Sequence, residues 1–268
     1  MRVNLKILGM ALLAIILASC KKEKMENLNA FDDAVNSELE FRDFEEDELG
    51  IQTCNTDFLA NLSDGAVVID TMESYPKTII IDYGEGVEDS WGRVKYGQVI
   101  LEITNDMSVE GAVKTMTFNQ FKVNTVSIQG YRVITNLGKN QDENIEFSIE
   151  GELILDKNGI SITRTFVRKR TWIEGYETCE KNDDLFLISG SATLEKDSKT
   201  ILKVITIPIK INPSGCKYPL EGEVSIEKSN GKTGVLNFGS GECDSEAILT
   251  LDNGEVKTVD LERRRCRR

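Results

Sequence analysis

Around Phe147 the chain alternates apolar and polar side chains. Phe147, Ile149, Leu153 and Leu155 fall on one parity, and Glu146, Ser148, Glu150 and Glu152 on the other. A period of two fits a β-strand with one face buried and one in water, because successive side chains of a strand point to opposite faces. The same texture runs from about residue 64 to Leu261 as short β-rich runs at 78–83, 98–104, 113–118, 123–135, 160–168 and 185–194, separated by Gly, Asn-Gly and Asp-Asn turn signals. The links are mostly of hairpin length, too short for the crossover helices that parallel pairing needs. The expected fold is all-β: an antiparallel meander forming a sandwich or an open twisted sheet.

Two further features refine that expectation. Ile201, Ile205, Ile207, Ile209 and Ile211 line one side of a long run, but Pro208 has no N–H for a ladder. The run is therefore expected at a sheet edge, with a bulge as the alternative. The segment from Lys77 to Gly86 echoes the segment from Lys232 to Gly241, each a strand ending in an aromatic-Gly-x-Gly turn. The echo suggests two related β units, 64–176 and 177–262, followed by a basic tail at 263–268.

The amino-terminal residues speak to compartment. Arg2 and Lys6 precede an apolar stretch from Ile7 to Ala18, short for a membrane span. It runs into Leu17-Ala18-Ser19-Cys20, which resembles the lipobox of bacterial lipoproteins. The resemblance implies a signal peptide at 1–19, removed by the lipoprotein signal peptidase, and diacylglycerol and an amide-linked acyl chain such as palmitate on Cys20. Several acyl chains on one residue anchor a protein stably. Lys21 does not resemble an inner-membrane retention signal, so the expected location is the outer membrane, lipid-anchored, periplasmic or surface-exposed.

Residues 20–63 read as an acidic tether. Between Lys21 and Gly50 there are eleven Asp or Glu against four Lys or Arg. Its apolar residues Leu28, Phe31, Val35, Leu39 and Phe41 fall partly at helical spacing, so a docked amphipathic helix and a disordered spacer are both open. Loss of the signal takes the formal charge from −13 to −15. Such a charge disfavours nucleic acid as a partner of the folded part.

Beyond Cys20 the chain has Cys54, Cys179, Cys216, Cys243 and Cys266, an odd number. Cys216 and Cys243 flank a two-strand segment, 220–238, returning at Asn230-Gly231, and are the favoured disulfide. Cys54 with Cys179 is a weaker pairing, and Cys266 is left over.

There is no histidine, which removes Ser-His-Asp and Cys-His catalysis and histidine metal sites. A carboxylate pair of the glycosidase kind is the enzymatic alternative, ranked below a noncatalytic role. Asp82, Glu85, Glu88 and Asp89 crowd one Gly-x-Gly turn, but their spacing matches no EF-hand loop, and solvated turn acids are the favoured reading. No metal or cofactor is expected. Trp91, Trp172 and Tyr96 are the candidate ligand contacts, as rings that a sheet can present to sugars. Asp70-Thr71-Met72 resembles an O-glycosylation acceptor of exported proteins in Bacteroidota-type organisms.

A strand like residues 78–84, a Gly-Arg segment like Gly92-Arg93 and a turn like Cys243-Asp244 resemble uncharacterised β-rich lipoproteins of Bacteroidota type. The chain departs from them at residues 87–90 and in its Arg-rich end. The resemblance implies fold and compartment and carries no activity. The function expected is a membrane-anchored envelope lipoprotein, not an enzyme, that binds a glycan or a protein partner. A structural or accessory envelope role is the alternative.

Overall fold

A computed structural model describes residues 65–70, 74–89, 92–178, 183–213 and 215–261. Fourteen strands follow one another: β1 (Val67–Asp70), β2 (Lys77–Asp82), β3 (Val87–Glu88), β4 (Val94–Ile103), β5 (Val113–Val123), β6 (Val126–Lys139), β7 (Ile145–Lys157), β8 (Ile160–Glu174), β9 (Leu185–Lys196), β10 (Lys199–Asn212), β11 (Cys216–Lys228), β12 (Thr233–Ser240), β13 (Glu246–Leu251) and β14 (Val256–Asp260). They form one antiparallel sheet in chain order, open at β1 and β14, with the short β3 paired to β4 off the main path. The all-β meander is thus a single open sheet, and the described residues contain no helix.

Local chemistry explains the hairpins. Between β7 and β8 the turn is Asn158-Gly159, both with positive φ (57° and 78°), the conformation of a two-residue hairpin loop whose twist matches that of the strands. β7 keeps the alternation of its sequence: Phe147, Ile149 and Leu153 are buried, whereas Glu150 is exposed. The expected run at 123–135 is divided by a turn at Asn124, whose φ of 54° ends β5 before β6 begins.

The buried face carries two apolar clusters. The first gathers Leu101, Ile134, Phe147, Phe166, Trp172 and Phe186 with others from β2 to β9, and the second gathers Val224, Ile226, Leu236 and Leu249 with others from β10 to β13. Ile188 and Ile211 pack against both. Tyr83 and Phe238, the aromatics of the two echoing turns, are each buried in one cluster. The clusters divide at β9 and β10. Across 176/177 the sheet is continuous, with β8 and β9 paired from Thr163↔Glu195 to Glu174↔Leu185.

The edge position expected for the isoleucine run is incorrect. β10 lies inside the sheet between β9 and β11. Its register slips on both sides around Pro208, between Ile205 and Ile209 against β9 and from Ile205 through Ile207 to Lys210 against β11. A bulge takes up the proline's missing donor and turns Ile207 outward, leaving it 50 % exposed while Ile209 is buried.

Candidate binding cleft and buried cationic face

The cleft originates in broken register. β4 and β5 pair as Tyr96↔Lys122 and Gln98↔Asn119, so Gly97 faces the extra residues Gln120 and Phe121. Gln120 has φ of 50° and Gly97 has φ of 72°. A Cβ on Gly97 would lie 2.4 Å from the Gln120 carbonyl oxygen, so only glycine lets the backbones approach this closely. β5 and β6 slip next, between Thr117↔Tyr131 and Lys122↔Ser127. Adjacent irregularities open the strand ends into a cleft of about 1030 Å³.

Rings and amides line it: Tyr96, Phe118 and Phe121 with Gln120, Lys122 and Gln129. Phe118 and Phe121 stack with centroids 5.5 Å apart, and Phe121 also meets Tyr83 at 5.8 Å. The Tyr96 ring lies over Gly86, where an added Cβ would come within 2.7 Å of it. Beside the cleft a polar ladder crosses three strands. Gln98 Nε2 donates to Asp82 Oδ2 at 2.8 Å, and Asn119 Nδ2 donates to Gln98 Oε1 at 2.8 Å. The Gln98 amide, together with the Gly84 N–H, holds the Asp82 carboxyl below the usual aspartate range.

Among the described residues that line the cleft, Glu85 is the one carboxylate. Asp82 is committed to Gln98 and Gly84. Asp89 accepts from Arg93 Nε at 2.6 Å and from the Arg93 N–H at 2.9 Å, which fixes the 89–93 turn. Among the described residues, no three acids of the Asp82–Asp89 turn converge as metal ligands.

Of the ring residues expected to contact a ligand, Tyr96 lines the cleft and Trp172 does not. Trp172 is 2 % exposed, edge-on to Tyr176 at 5.0 Å and against Phe186 at 5.1 Å, so its assignment as a ligand contact is incorrect. Its side chain falls on the buried parity of β8. Trp91 and Cys20 lie outside the described residues, as do the signal, the tether, Cys54, Cys179, Cys266, Thr71-Met72 and the basic tail. Cys216 and Cys243 are joined, with Cα atoms 5.8 Å apart, tying the start of β11 to the turn after β12.

The sequence reading missed Phe118 and Phe121. Their spacing of three breaks the period of two set by Met116 and Phe118, and such a break signals a bulge. It also missed a row of buried cations. Lys114, Arg132, Arg164, Arg168, Arg170 and Lys203 are between 1 % and 7 % exposed and share the sheet face of the apolar clusters. Arg164 lies over the Phe166 ring at 5.2 Å, and Arg170 lies over Phe147 at 5.3 Å and Phe186 at 5.4 Å, at distances where a cation is drawn to a ring face. No family model, no curated protein and no solved structure matches this chain.

Proposed function

We infer that this chain is an envelope lipoprotein, held to the outer membrane by lipid on Cys20, whose all-β body is a noncatalytic binding module for a glycan. The observation that carries the reading is the cleft at the β4–β6 register break, where the Tyr96 and Phe118 rings stand beside the Gln120 and Gln129 amides. Ring faces accept the apolar face of a sugar, and amides exchange hydrogen bonds with its hydroxyls, a pairing that binding sites use for orientation. That Glu85 is the one carboxylate among the described residues lining the cleft favours binding over glycosidase chemistry, which needs two acids across the bond.

Thermal unfolding of the mature chain against a panel of envelope and host glycans tests this. The expected result is a melting temperature that rises with the concentration of one glycan class, as binding to the native state requires, and a Tyr96→Ala variant that folds but loses the rise. A flat response across the panel overturns the glycan reading. Anchoring is checked separately: a fatty-acid label should enter the wild type and be absent from Cys20→Ala.

A second reading, a structural or accessory envelope protein, is favoured by the outer face. Val167, Val204 and Val256 are 59 %, 39 % and 61 % exposed, and the register runs from Val167 through Ser191, Val204, Ser225, Val235 and Thr250 to Val256. Such a row suits packing on another envelope protein.

A further inference from the structure

The cleft carries opposite charges on the two sides of one ring. Tyr96 on β4 pairs with Lys122 on β5, and Lys122 pairs with Ser127 on β6, so these side chains share a face in one transverse row. Toward β2 the Tyr96 ring lies over Gly86, next to Glu85 on the 84–86 turn. The order across the cleft is therefore carboxylate, ring, ammonium, hydroxyl. Among the described residues that line it, Lys122 is the one cation and Glu85 the one acid. Cations nearby are engaged, with Arg93 Nε 2.6 Å and Lys95 Nζ 3.8 Å from Asp89 Oδ2. Lys122 and Glu85 are both exposed, and among the described residues neither belongs to an ion pair. A chain of formal charge −13 repels anions at large, so an anionic ligand depends on a local cation of this kind.

We propose that the sugar this cleft takes is a hexuronic acid, with its carboxylate on Lys122 and its ring hydroxyls on Glu85. The inference rests on the glycan reading of the cleft and narrows it to one class. In a uronate ring the carboxylate and the hydroxyls of the far edge lie across the ring from each other, as Lys122 and Glu85 lie across Tyr96. The apolar face of the sugar seats on the Tyr96 ring. The Lys122 ammonium donates a charge-assisted hydrogen bond to the sugar carboxylate. Glu85, ionised, only accepts hydrogen bonds and has two oxygens for two neighbouring hydroxyls, while its charge rejects a second anionic group at that end. One ammonium balances one carboxylate and falls short of a phosphate, which carries up to about two charges at pH 7. The Gln129 amide and the Ser127 hydroxyl, both lining the cleft, are left for the remaining hydroxyls.

Calorimetric titration of the mature chain tests this with tri-galacturonic acid and its methyl ester, and with a hyaluronan tetrasaccharide and its methyl ester. The ester keeps the ring and removes the charge, and the two pairs separate a plant-type polyuronate from an animal matrix glycan as the source of the same chemistry. In at least one pair the acid is expected to bind ~10-fold or more tightly than its ester, with a preference that falls as salt is raised. Lys122→Met should bind acid and ester alike, at the wild-type affinity for the ester, and Lys122→Arg should keep the preference. Equal binding of acid and ester by the wild type, or a preference that survives Lys122→Met, overturns the uronate assignment and leaves the glycan reading standing. So does binding of a neutral glycan by a chain that takes neither acid. Absence of binding by every saccharide removes both.

Discussion

At Gly190 the sheet admits one residue type. Its φ is 118°, and a Cβ would lie 2.2 Å from the Val167 carbonyl oxygen of the paired strand. Gly190→Ala therefore meets both backbone strain and overlap, and should cost about 2–4 kcal/mol, read as a lower denaturation midpoint. Glu146 makes a prediction in pH. Burial alone would push its carboxyl up, but hydrogen bonds from Lys169 (2.8 Å), Asn140 and Thr171, with the Lys169 charge, hold it below the usual glutamate range. A lowered folded-state value means that its contribution is present above the unfolded value, about 4.3, and is lost as pH falls through the folded one. Glu146→Gln should be less stable than wild type at pH 7, and the difference should shrink as pH falls below the unfolded value and close once it has passed through the lower folded one. The same scale explains why Trp172 was misread. The buried parity of β8 reads Arg164, Phe166, Arg168, Arg170 and Trp172, and its outer parity reads Thr165, Val167, Lys169 and Thr171. With cations buried and a valine exposed, hydrophobic alternation assigns neither face.

Among elements, strands were legible where the turn chemistry is local. Asn158-Gly159 and Asn230-Gly231 mark hairpins from their own backbone preferences, and the alternation in β7 follows from water on one side. Bulges were not legible, because a register slip is a property of two strands. Pro208 announces a missing donor, but whether an edge or a bulge absorbs it depends on the strands beside β10. The cleft was hidden for the same reason, its walls being set by slips shared among β4, β5 and β6. The disulfide is an element-scale device that closes a separation of 27 residues. Loop-closure entropy for a ring of that size gives about 3.5 kcal/mol of stabilisation. Equilibrium unfolding of Cys216→Ala with Cys243→Ala should fall short of wild type by about that amount, with the loss concentrated in β11 to β13.

At the scale of the fold, among the described residues each strand pairs only with its sequence neighbours, apart from the β2–β4 step over β3, and their apolar core falls into two clusters joined at Ile188 and Ile211. Stability is then close to a sum of neighbour terms along one dimension. Native-state hydrogen exchange should be slowest in β6 to β8 and fastest in β1 and β14, and denaturant should release the second cluster before the first once the disulfide is reduced. Loss of protection in both clusters at a single denaturant concentration under reducing conditions would contradict this. Strand order equal to chain order also governs how the molecule comes into being. As the polypeptide leaves any narrow exit, ribosomal or membranous, amino end first, every main-path strand finds its partner already outside. No strand waits for a distant segment, and no loop has to be threaded. Each hairpin that closes makes backward sliding of the emerging chain unfavourable, so the order of the strands turns emergence into a one-way process.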